Sequence, residues 1–220
     1  MSPSFDDYFE LARTDIFRLE TLQTYGNSGE DAALAAFEAG EPHLITPGKR
    51  EWIALVTERT AAGCTMHRVH VVTEPITDYL RFELNWGYAP NDKAGERIGI
   101  IPVPPGEPWP TELPERTDFW LFDLTVLYVL RYDQNGAWHS TEQVTEPGAI
   151  EQARRWREAA LRLAVPWRDY VAAHPAMARI VSQTDLTVSF VEGAAGDPEP
   201  APCAAGGAVE GHPSGDRPVR

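Results

Sequence analysis

The chain has 220 residues, a length typical of one domain with appendages, and 43% of them are hydrophobic, which is enough for a substantial core. Its 33 acidic residues outnumber 19 Lys and Arg and give a formal net charge of −14, which disfavours direct binding to nucleic acid or to an anionic membrane. Two cysteines make no disulfide framework, and the N-terminus lacks the basic and apolar regions of a secretion signal, so we expect a cytoplasmic protein.

The first third of the chain shows the spacing of helices with one strand among them. Aromatic and aliphatic residues recur every three or four positions from Phe5 to Ile16, which predicts an amphipathic helix. The segment FRLET, at 17–21, alternates apolar and charged residues as a short strand does. Two further helices are predicted, one over Ser28–Ala39 and one from a Thr46 cap to Gly63.

Beyond Gly63 the hydrophobic period changes to two, which predicts a run of strands. The pair Asn135-Gly136 is a strong signal for a tight hairpin turn between the last two strands. A final long helix is expected from Pro147 to Pro166, followed by a shorter one at 167–178. The strands are predicted at 68–72, 79–84, 96–103, 118–123, 126–133 and 137–144.

Together these elements predict an α+β fold, with a mostly antiparallel sheet of five or six strands and with the N-terminal helices and the C-terminal helix packed on it, covering one face. Residues 1–190 are expected to form this single domain, and a proline-rich loop at 102–116 interrupts the strands. The segment 191–220 is rich in Ala, Gly and Pro and has no Leu, Ile, Phe, Tyr or Trp, so we expect a disordered tail.

The stretch RVHVVTEPITDYLRFEL, from Arg68 to Leu84, holds most of the candidate functional residues. Neighbouring residues of a strand point to opposite faces, so the apolar residues of the two predicted strands share one face and the charged residues share the other. The residues predicted on the charged face are Arg68, His70, Tyr79, Arg81 and Glu83, with Asp78, Asp118 and Trp120 beside them.

This mixture of residue types suits an anion-binding or acid–base site, because arginines hold anions by forked hydrogen bonds and Glu, His and Asp transfer protons. The predicted ligand-binding residues are Arg68, Asp78, Tyr79, Arg81 and Trp120, and the predicted catalytic residues are His70, Glu83 and Asp118. The alternative is purely structural, because the polar face of a one-sided antiparallel sheet normally faces water.

No metal or cofactor is predicted from the sequence. His67 and His70 are three residues apart in a strand and face opposite ways, and neither has a partner at metal-ligand spacing. The sequence also contains no glycine-rich phosphate-binding loop.

Five motifs in order, FRLETLQTY, RVHVVTEPITDYLRFEL, AGERI, DFWLFD and LRYDQNG, carry a resemblance to a known family. Together they resemble an uncharacterised actinobacterial domain family whose members are often encoded beside helix-turn-helix regulators and small partner proteins. The resemblance spans roughly residues 5–170 and implies no activity, cofactor or catalytic residue. Arg97 stands where the resemblance implies an acidic residue after AGE.

Two functions are expected from these features. The first is a cytoplasmic regulatory or interaction protein that binds a protein partner, such as a helix-turn-helix regulator, or a small anionic ligand on the charged, aromatic sheet face, with the proline-rich loop at its rim. The second is an enzyme of specialised metabolism, or a toxin-like effector, with an Arg/Glu/His acid–base site. Direct binding of nucleic acid or of a membrane is not expected.

Overall fold

A mixed sheet forms the centre of the computed structural model, which describes residues 3–26 and 29–175. Within those residues the sheet has seven strands in the order β6-β5-β4-β1-β2-β3-β7. The strands are β1 (Asp15–Glu20), β2 (Thr65–Thr73), β3 (Arg97–Val103), β4 (Asp118–Phe122), β5 (Val126–Tyr132), β6 (Trp138–Val144) and β7 (Val165–Pro166). The predicted tail at 191–220 and the predicted domain boundary at residue 190 lie outside the described residues.

The helices connect the strands and cover both faces of the sheet. They are α1 (Asp7–Leu11), α2 (Asp31–Ala39), α3 (Pro47–Ala61), α4 (Asp78–Phe82), α5 (Tyr88–Ala94), α6 (Pro147–Leu163) and α7 (Trp167–Ala173), with a π-helical turn at Glu83–Gly87 between α4 and α5. Among the described residues, no helix has both the length and the apolar character needed to span a bilayer.

The expected α+β class is confirmed, but the sheet has more strands and a different centre than predicted. β1, β2 and β3 are parallel to one another, and antiparallel pairing is confined to the flanks, where β4, β5 and β6 continue from β1 and β7 pairs with β3. The parallel centre follows from the connections, since α2 and α3 lie between β1 and β2 and α4 and α5 lie between β2 and β3.

The prediction that helices cover one face of the sheet is wrong. The face that carries Phe17, Leu19 and Val71 packs against α6. The opposite face carries Ile16 and Met66, and it is covered by α1 and α3. All six residues of β1 are therefore buried, as is usual for a central strand of a parallel sheet.

The predicted strand at 79–84 is also wrong, because this segment forms α4 and the π-helical turn. The Thr77 side chain accepts a hydrogen bond from the backbone N–H of Leu80 and so caps the helix. Ile76, Leu80 and Leu84, spaced four apart, pack together in one cluster. An apolar/polar alternation over only six residues is compatible with a strand and also with this helical spacing. The Thr77 cap favours the helix.

The proline-rich loop does not lie on the charged face of the sheet. Its residues Trp109 and Leu113 pack into the cluster beneath α6, on the opposite face. The loop therefore does not form the predicted rim of a site on the charged face.

The predicted hairpin joins β5 to β6 and also supports a loop that reaches the charged face. The backbone N–H of Gly26 donates to the carbonyl of Gly136 at 2.9 Å. Gly136 has a positive φ of 79°, and a Cβ placed there would overlap the carbonyl oxygen of Thr24. The hairpin thus holds the segment that carries Tyr25.

Gly136→Ala is expected to destabilise the protein more than Gly106→Ala. Both glycines have positive φ values, of 79° and 84°, so both substitutions carry a left-handed backbone cost of roughly 1–2 kcal/mol. Only Gly136→Ala adds the overlap with Thr24, since a Cβ at Gly106 would meet no atom within 4 Å. Denaturant unfolding of the two variants measures the difference, and equal losses of stability would contradict the packing of this hairpin on the loop.

Candidate functional site

A cavity of about 40 Å³ lies between the charged face of the sheet and the helices that cover it. It has room for roughly three water-sized groups. Its floor is formed by Glu20 of β1 and by Arg68 and His70 of β2, towards the carboxyl ends of these strands, where ligands bind in many α/β sheets. The remaining lining residues are Tyr25, Glu30, Lys49, Trp52, Tyr79, Glu83, Tyr88 and Asn91.

Glu20 joins two buried arginines at the floor. Its Oε1 accepts hydrogen bonds from Arg18 Nε at 2.8 Å and from Arg68 Nη1 at 2.5 Å. Arg18 and Arg68 are direct neighbours in the parallel register of β1 and β2, so the carboxylate offsets their mutual repulsion. Burial by itself opposes ionisation, but Arg68 and Arg18 outweigh it and lower the pKa of Glu20 to about 2.

His70 is fully buried and both of its ring nitrogens have partners. Nε2 lies 2.6 Å from the carbonyl oxygen of Leu22, which can only accept, so Nε2 carries the proton. Nδ1 then accepts from the hydroxyl of Tyr88, also at 2.6 Å. Burial lowers the pKa of His70 despite the nearby Glu20, which favours this neutral form. His70 is therefore held in one tautomer by the surrounding structure.

Glu83 differs from the other carboxyl groups of the site because, among the described residues, no basic side chain forms an ion pair with it within 4.0 Å. Tyr79 donates a hydrogen bond to its Oε1 at 3.2 Å. Burial and the neighbouring Glu30, with which it shares a hydrogen bond, raise the pKa of Glu83 well above its ordinary value. Of the two carboxyl groups, Glu83 is therefore the one that holds a proton more readily.

Glu30 keeps its charge because Lys49 lies beside it. Lys49 Nζ is 3.2 Å from Glu30 Oε1, and both side chains are largely buried. Burial would raise the pKa of Glu30, but Lys49 and the hydrogen bond with Glu83 outweigh it and lower the pKa below the ordinary value. Two carboxyl groups with pKa values displaced in opposite directions are a pattern typical of proton-transfer sites.

The π-helical turn places Glu83 over the cavity. Such turns contain one more residue per hydrogen-bonded turn than an α-helix and are frequent at functional sites. The Glu83 carboxyl group rests on Gly87, where a Cβ would lie 2.6 Å from Glu83 Cδ. Since φ at Gly87 is −68°, the glycine is needed for space and not for an unusual backbone.

Two polar atoms of the cavity lining have no hydrogen-bond partner among the described residues. They are Oδ1 of Asn91 and Nε1 of Trp52. Asn91 Nδ2 donates to Glu96 Oε2 at 2.8 Å, which fixes the amide orientation, because a flipped amide would set two acceptors against each other. Asn91 is 2% exposed, so its unused acceptor is costly unless a ligand satisfies it.

Four of the predicted site residues lie in the cavity lining: Arg68, His70, Tyr79 and Glu83. Arg81 and Asp78 do not, because a helix places Tyr79 and Glu83 on one side and turns Arg81 away. The Asp78 side chain is 84% exposed and pairs with Arg81 on the helix surface at 3.8 Å. The expectation that all five residues at 68–83 share one strand face is therefore wrong, because only Arg68 and His70 lie on a strand and Arg81 does not line the cavity.

Asp118 and Trp120 lie outside the lining and support it from β4. Asp118 accepts hydrogen bonds from the backbone N–H of Thr21 at 2.8 Å, from the Thr21 hydroxyl and from the hydroxyl of Tyr25. These bonds position the loop after β1. Trp120 lies beneath the arginines, with its ring centroid 5.0 Å from Arg18 Cζ and 6.0 Å from Arg68 Cζ. Both residues are too deeply buried to contact a ligand in this cavity.

Sequence reasoning missed the acidic and basic residues supplied by β1, α3 and the segment before α2. Glu20 had a signal, because the alternation in FRLET continues the pattern of Arg68 and His70 on a neighbouring strand. Glu30 and Lys49 had none, since their positions depend on how α2 and α3 cross the sheet. Among the described residues, no group of three or more His, Cys, Asp or Glu side chains is arranged to hold a metal ion.

Comparison with known proteins yields a family and likenesses to solved structures. The model of a domain of unknown function (DUF6879) matches residues 3–172. A search of curated proteins finds no match. Among solved structures, the chain is similar to a phospholipase D family member, Nuc from Salmonella typhimurium, with 9% identity and a TM-score of 0.40, over 74% of this chain and 87% of that one. A likeness of this degree carries no argument about function.

Glu83→Gln is expected to gain stability relative to wild type as the pH rises. The folded protein keeps on Glu83 a proton that the unfolded chain releases above about pH 4.5, so this stabilisation is complete at lower pH and is lost as the pH rises towards the raised pKa. Gln remains neutral throughout. The difference should widen as the pH rises above about 4.5, by at most about 1.4 kcal/mol per pH unit.

Urea unfolding at several pH values measures this difference. Glu38→Gln removes a carboxyl group from the exposed side of α2 and gives the baseline for comparison. A Glu83 difference that follows the Glu38 baseline at every pH would contradict a buried Glu83 with a raised pKa.

Gly87→Ala is expected to destabilise the protein by about 1–3 kcal/mol, through overlap with the Glu83 carboxyl group, although Ala favours helices more than Gly does. In a Glu83→Ala background the same substitution should become neutral or stabilising. Gly148→Ala, in α6, is the matched control because its Cβ would meet no atom within 4 Å. A double-mutant cycle in urea gives the coupling, and additive effects would rule out the contact.

Proposed function

Since the chain belongs to the DUF6879 family, a domain of unknown function, we propose a function from its own geometry: the protein binds a small polar molecule in the cavity over β1 and β2. The observation that supports this most strongly is Glu83, a buried carboxyl group with a raised pKa at the wall of a cavity. Perturbed carboxyl groups in pockets are concentrated at functional sites.

The cost of the arrangement supports a role in binding. Burying a polar group without a full set of partners destabilises a fold by roughly 1–3 kcal/mol. Asn91 and Trp52 each leave one buried polar atom without a partner among the described residues, and both line the same cavity as Glu83. A bound molecule that satisfies either atom offsets part of that cost only when it is present.

Access decides between a small molecule and a protein partner at this site. Helices α3, α4 and α5, with the π-helical turn, supply most of the cavity wall above the sheet, so a protein cannot lie flat on the sheet face. In this proposal a protein partner, such as a helix-turn-helix regulator of an actinobacterium, senses the ligand-bound state through the outer surface of these helices. The proposed setting is the cytoplasm, which the acidic charge and the cysteine content favour.

A second candidate function is acid–base catalysis, which the carboxyl pair specifically favours. The pKa of Glu30 is lowered and that of Glu83 is raised, so Glu30 is suited to accept a proton and Glu83 to donate one. In this alternative Arg68 and Tyr79 orient the substrate. His70 takes no part in proton transfer, because both of its nitrogens are engaged.

A thermal-shift screen against a library of polar metabolites tests the proposal. A ligand present at 100 times its Kd should stabilise the protein by about 2.7 kcal/mol. The shift should be lost or strongly reduced in Glu83→Gln and retained in Glu38→Gln, which alters only the exposed side of α2. If no compound stabilises the wild type, or if every hit stabilises Glu83→Gln equally, the cavity is not the binding site.

Whether the protein chemically changes a confirmed ligand distinguishes the binding protein from the acid–base enzyme. Each confirmed ligand is incubated with wild type and with Glu83→Gln and then analysed by mass spectrometry. Turnover by the wild type alone supports the enzyme, and recovery of the unchanged ligand supports a binding protein.

A further inference from the structure

Three carboxyl groups line the cavity with two Lys or Arg side chains. The carboxyl groups are those of Glu20, Glu30 and Glu83, and the basic side chains are those of Arg68 and Lys49. Each basic side chain already has a carboxylate partner within 4.0 Å. An anion entering the cavity would thus meet carboxylates and not a free guanidinium group.

The acceptors that remain are arranged for a hydrogen-bond donor. Among the described residues, no basic side chain forms an ion pair with Glu83 within 4.0 Å, and Asn91 Oδ1 has no donor. Asn91 lines the same cavity and is 2% exposed, so its unused oxygen is an observation independent of the carboxyl groups. Both groups are satisfied by an ammonium ion, which has three donors and no acceptor.

The side walls of the cavity also favour a cation. Trp52, Tyr25, Tyr79 and Tyr88 line it, and aromatic faces attract alkylammonium ions through cation–π interactions. Lys49 shows that an ammonium group is stable in this environment, because its Nζ lies 3.2 Å from Glu30 Oε1 within the cavity lining.

We propose that the ligand of this cavity is an alkylammonium ion, either a small amine or the ammonium end of a larger one, held between the Glu30–Glu83 pair, Asn91 and the aromatic wall. This rests on the proposed function and specifies its ligand. Binding displaces the proton shared by the carboxyl pair, so affinity for the amine rises with pH until the amine itself loses its charge. The proposed alkylammonium ion takes the place of the anionic ligand that is expected from the two arginines alone.

The experiment uses three probes of similar size: ethylammonium, acetate and ethanol. Calorimetry and NMR titration of the full chain at pH 6 and pH 8 should show saturable binding of ethylammonium alone, with at least threefold higher affinity at pH 8. Proton release is measured at pH 6 in two buffers of different ionisation enthalpy. Glu83→Gln should weaken ethylammonium binding at least tenfold and abolish the proton release.

Lys49→Ala is expected to strengthen ethylammonium binding, which is the opposite of the effect expected for Glu83→Gln. It removes the resident ammonium group beside Glu30, so ethylammonium should bind at least tenfold more tightly than to wild type and should restore thermal stability lost by the substitution. Lys93→Ala, on the exposed surface of α5, is the matched control and should bind as wild type does. If Glu83→Gln fails to fold, the Lys49 series and the pH dependence still test the proposal.

Three outcomes overturn it: saturable binding of acetate that Lys49→Ala abolishes, equal binding of all three probes, or no saturable binding of ethylammonium by wild type or Lys49→Ala. If in any of these cases the metabolite screen still yields a ligand that depends on Glu83, the binding function stands and only the ligand class is wrong. If the screen also yields none, both proposals fail.

Discussion

The contact on which the rest of the structure depends is the Glu20 carboxylate between Arg18 and Arg68 at the middle of the sheet. Two arginines lie side by side on β1 and β2, and one oxygen of Glu20 bonds to both. Removing one partner from a buried ion cluster typically costs roughly 3–5 kcal/mol, because a charge remains without compensation. Trp120 below and Glu96 beside Arg68 complete the surroundings of the two guanidinium groups.

This cluster explains why the helices above it carry so many polar groups. A charged strip within a sheet needs acceptors and donors from the layer that covers it, so Tyr88 and Asn91 of α5 and Glu83 of the π-helical turn point towards the strands. The cavity is the part of this layer where the side chains do not meet. Its chemistry is therefore a consequence of the charged strip and not a separate addition to the fold.

Much of the fold could be predicted from the sequence because most helices and strands have recognisable local sequence signals. The hairpin has the turn pair Asn135-Gly136, the strand over 118–122 has an apolar run between two acidic residues, and the long helix has Pro147 at its first turn. The segment 79–84 is helical although a strand is predicted for it, because an alternation over six residues fits both periods and the Thr77 cap favours the helix. The parallel centre of the sheet depends on long-range crossovers, which local patterns do not specify.

The candidate site likewise contains residues that local sequence patterns predict and residues that they do not. Arg68 and His70 were grouped correctly, because a strand fixes which side each residue faces. Tyr79 and Glu83 were included although the predicted strand was wrong, since residues four apart share a side in a helix and residues two or four apart share one in a strand. Arg81 distinguishes the strand from the helix, because only the helix turns it away from the cavity. Glu30 and Lys49 come from distant segments whose meeting is decided only by tertiary packing.

β7 has a consequence for the way in which this protein meets others. It consists of two residues, with Pro166 opposite Gly99 and Val165 opposite Ile100 on β3. Proline has no backbone N–H to offer a further strand, and so short a strand is a poor template for one. This margin of the sheet is thereby closed to the edge-to-edge pairing through which proteins polymerise, and any self-association by strand exchange would have to use the other margin.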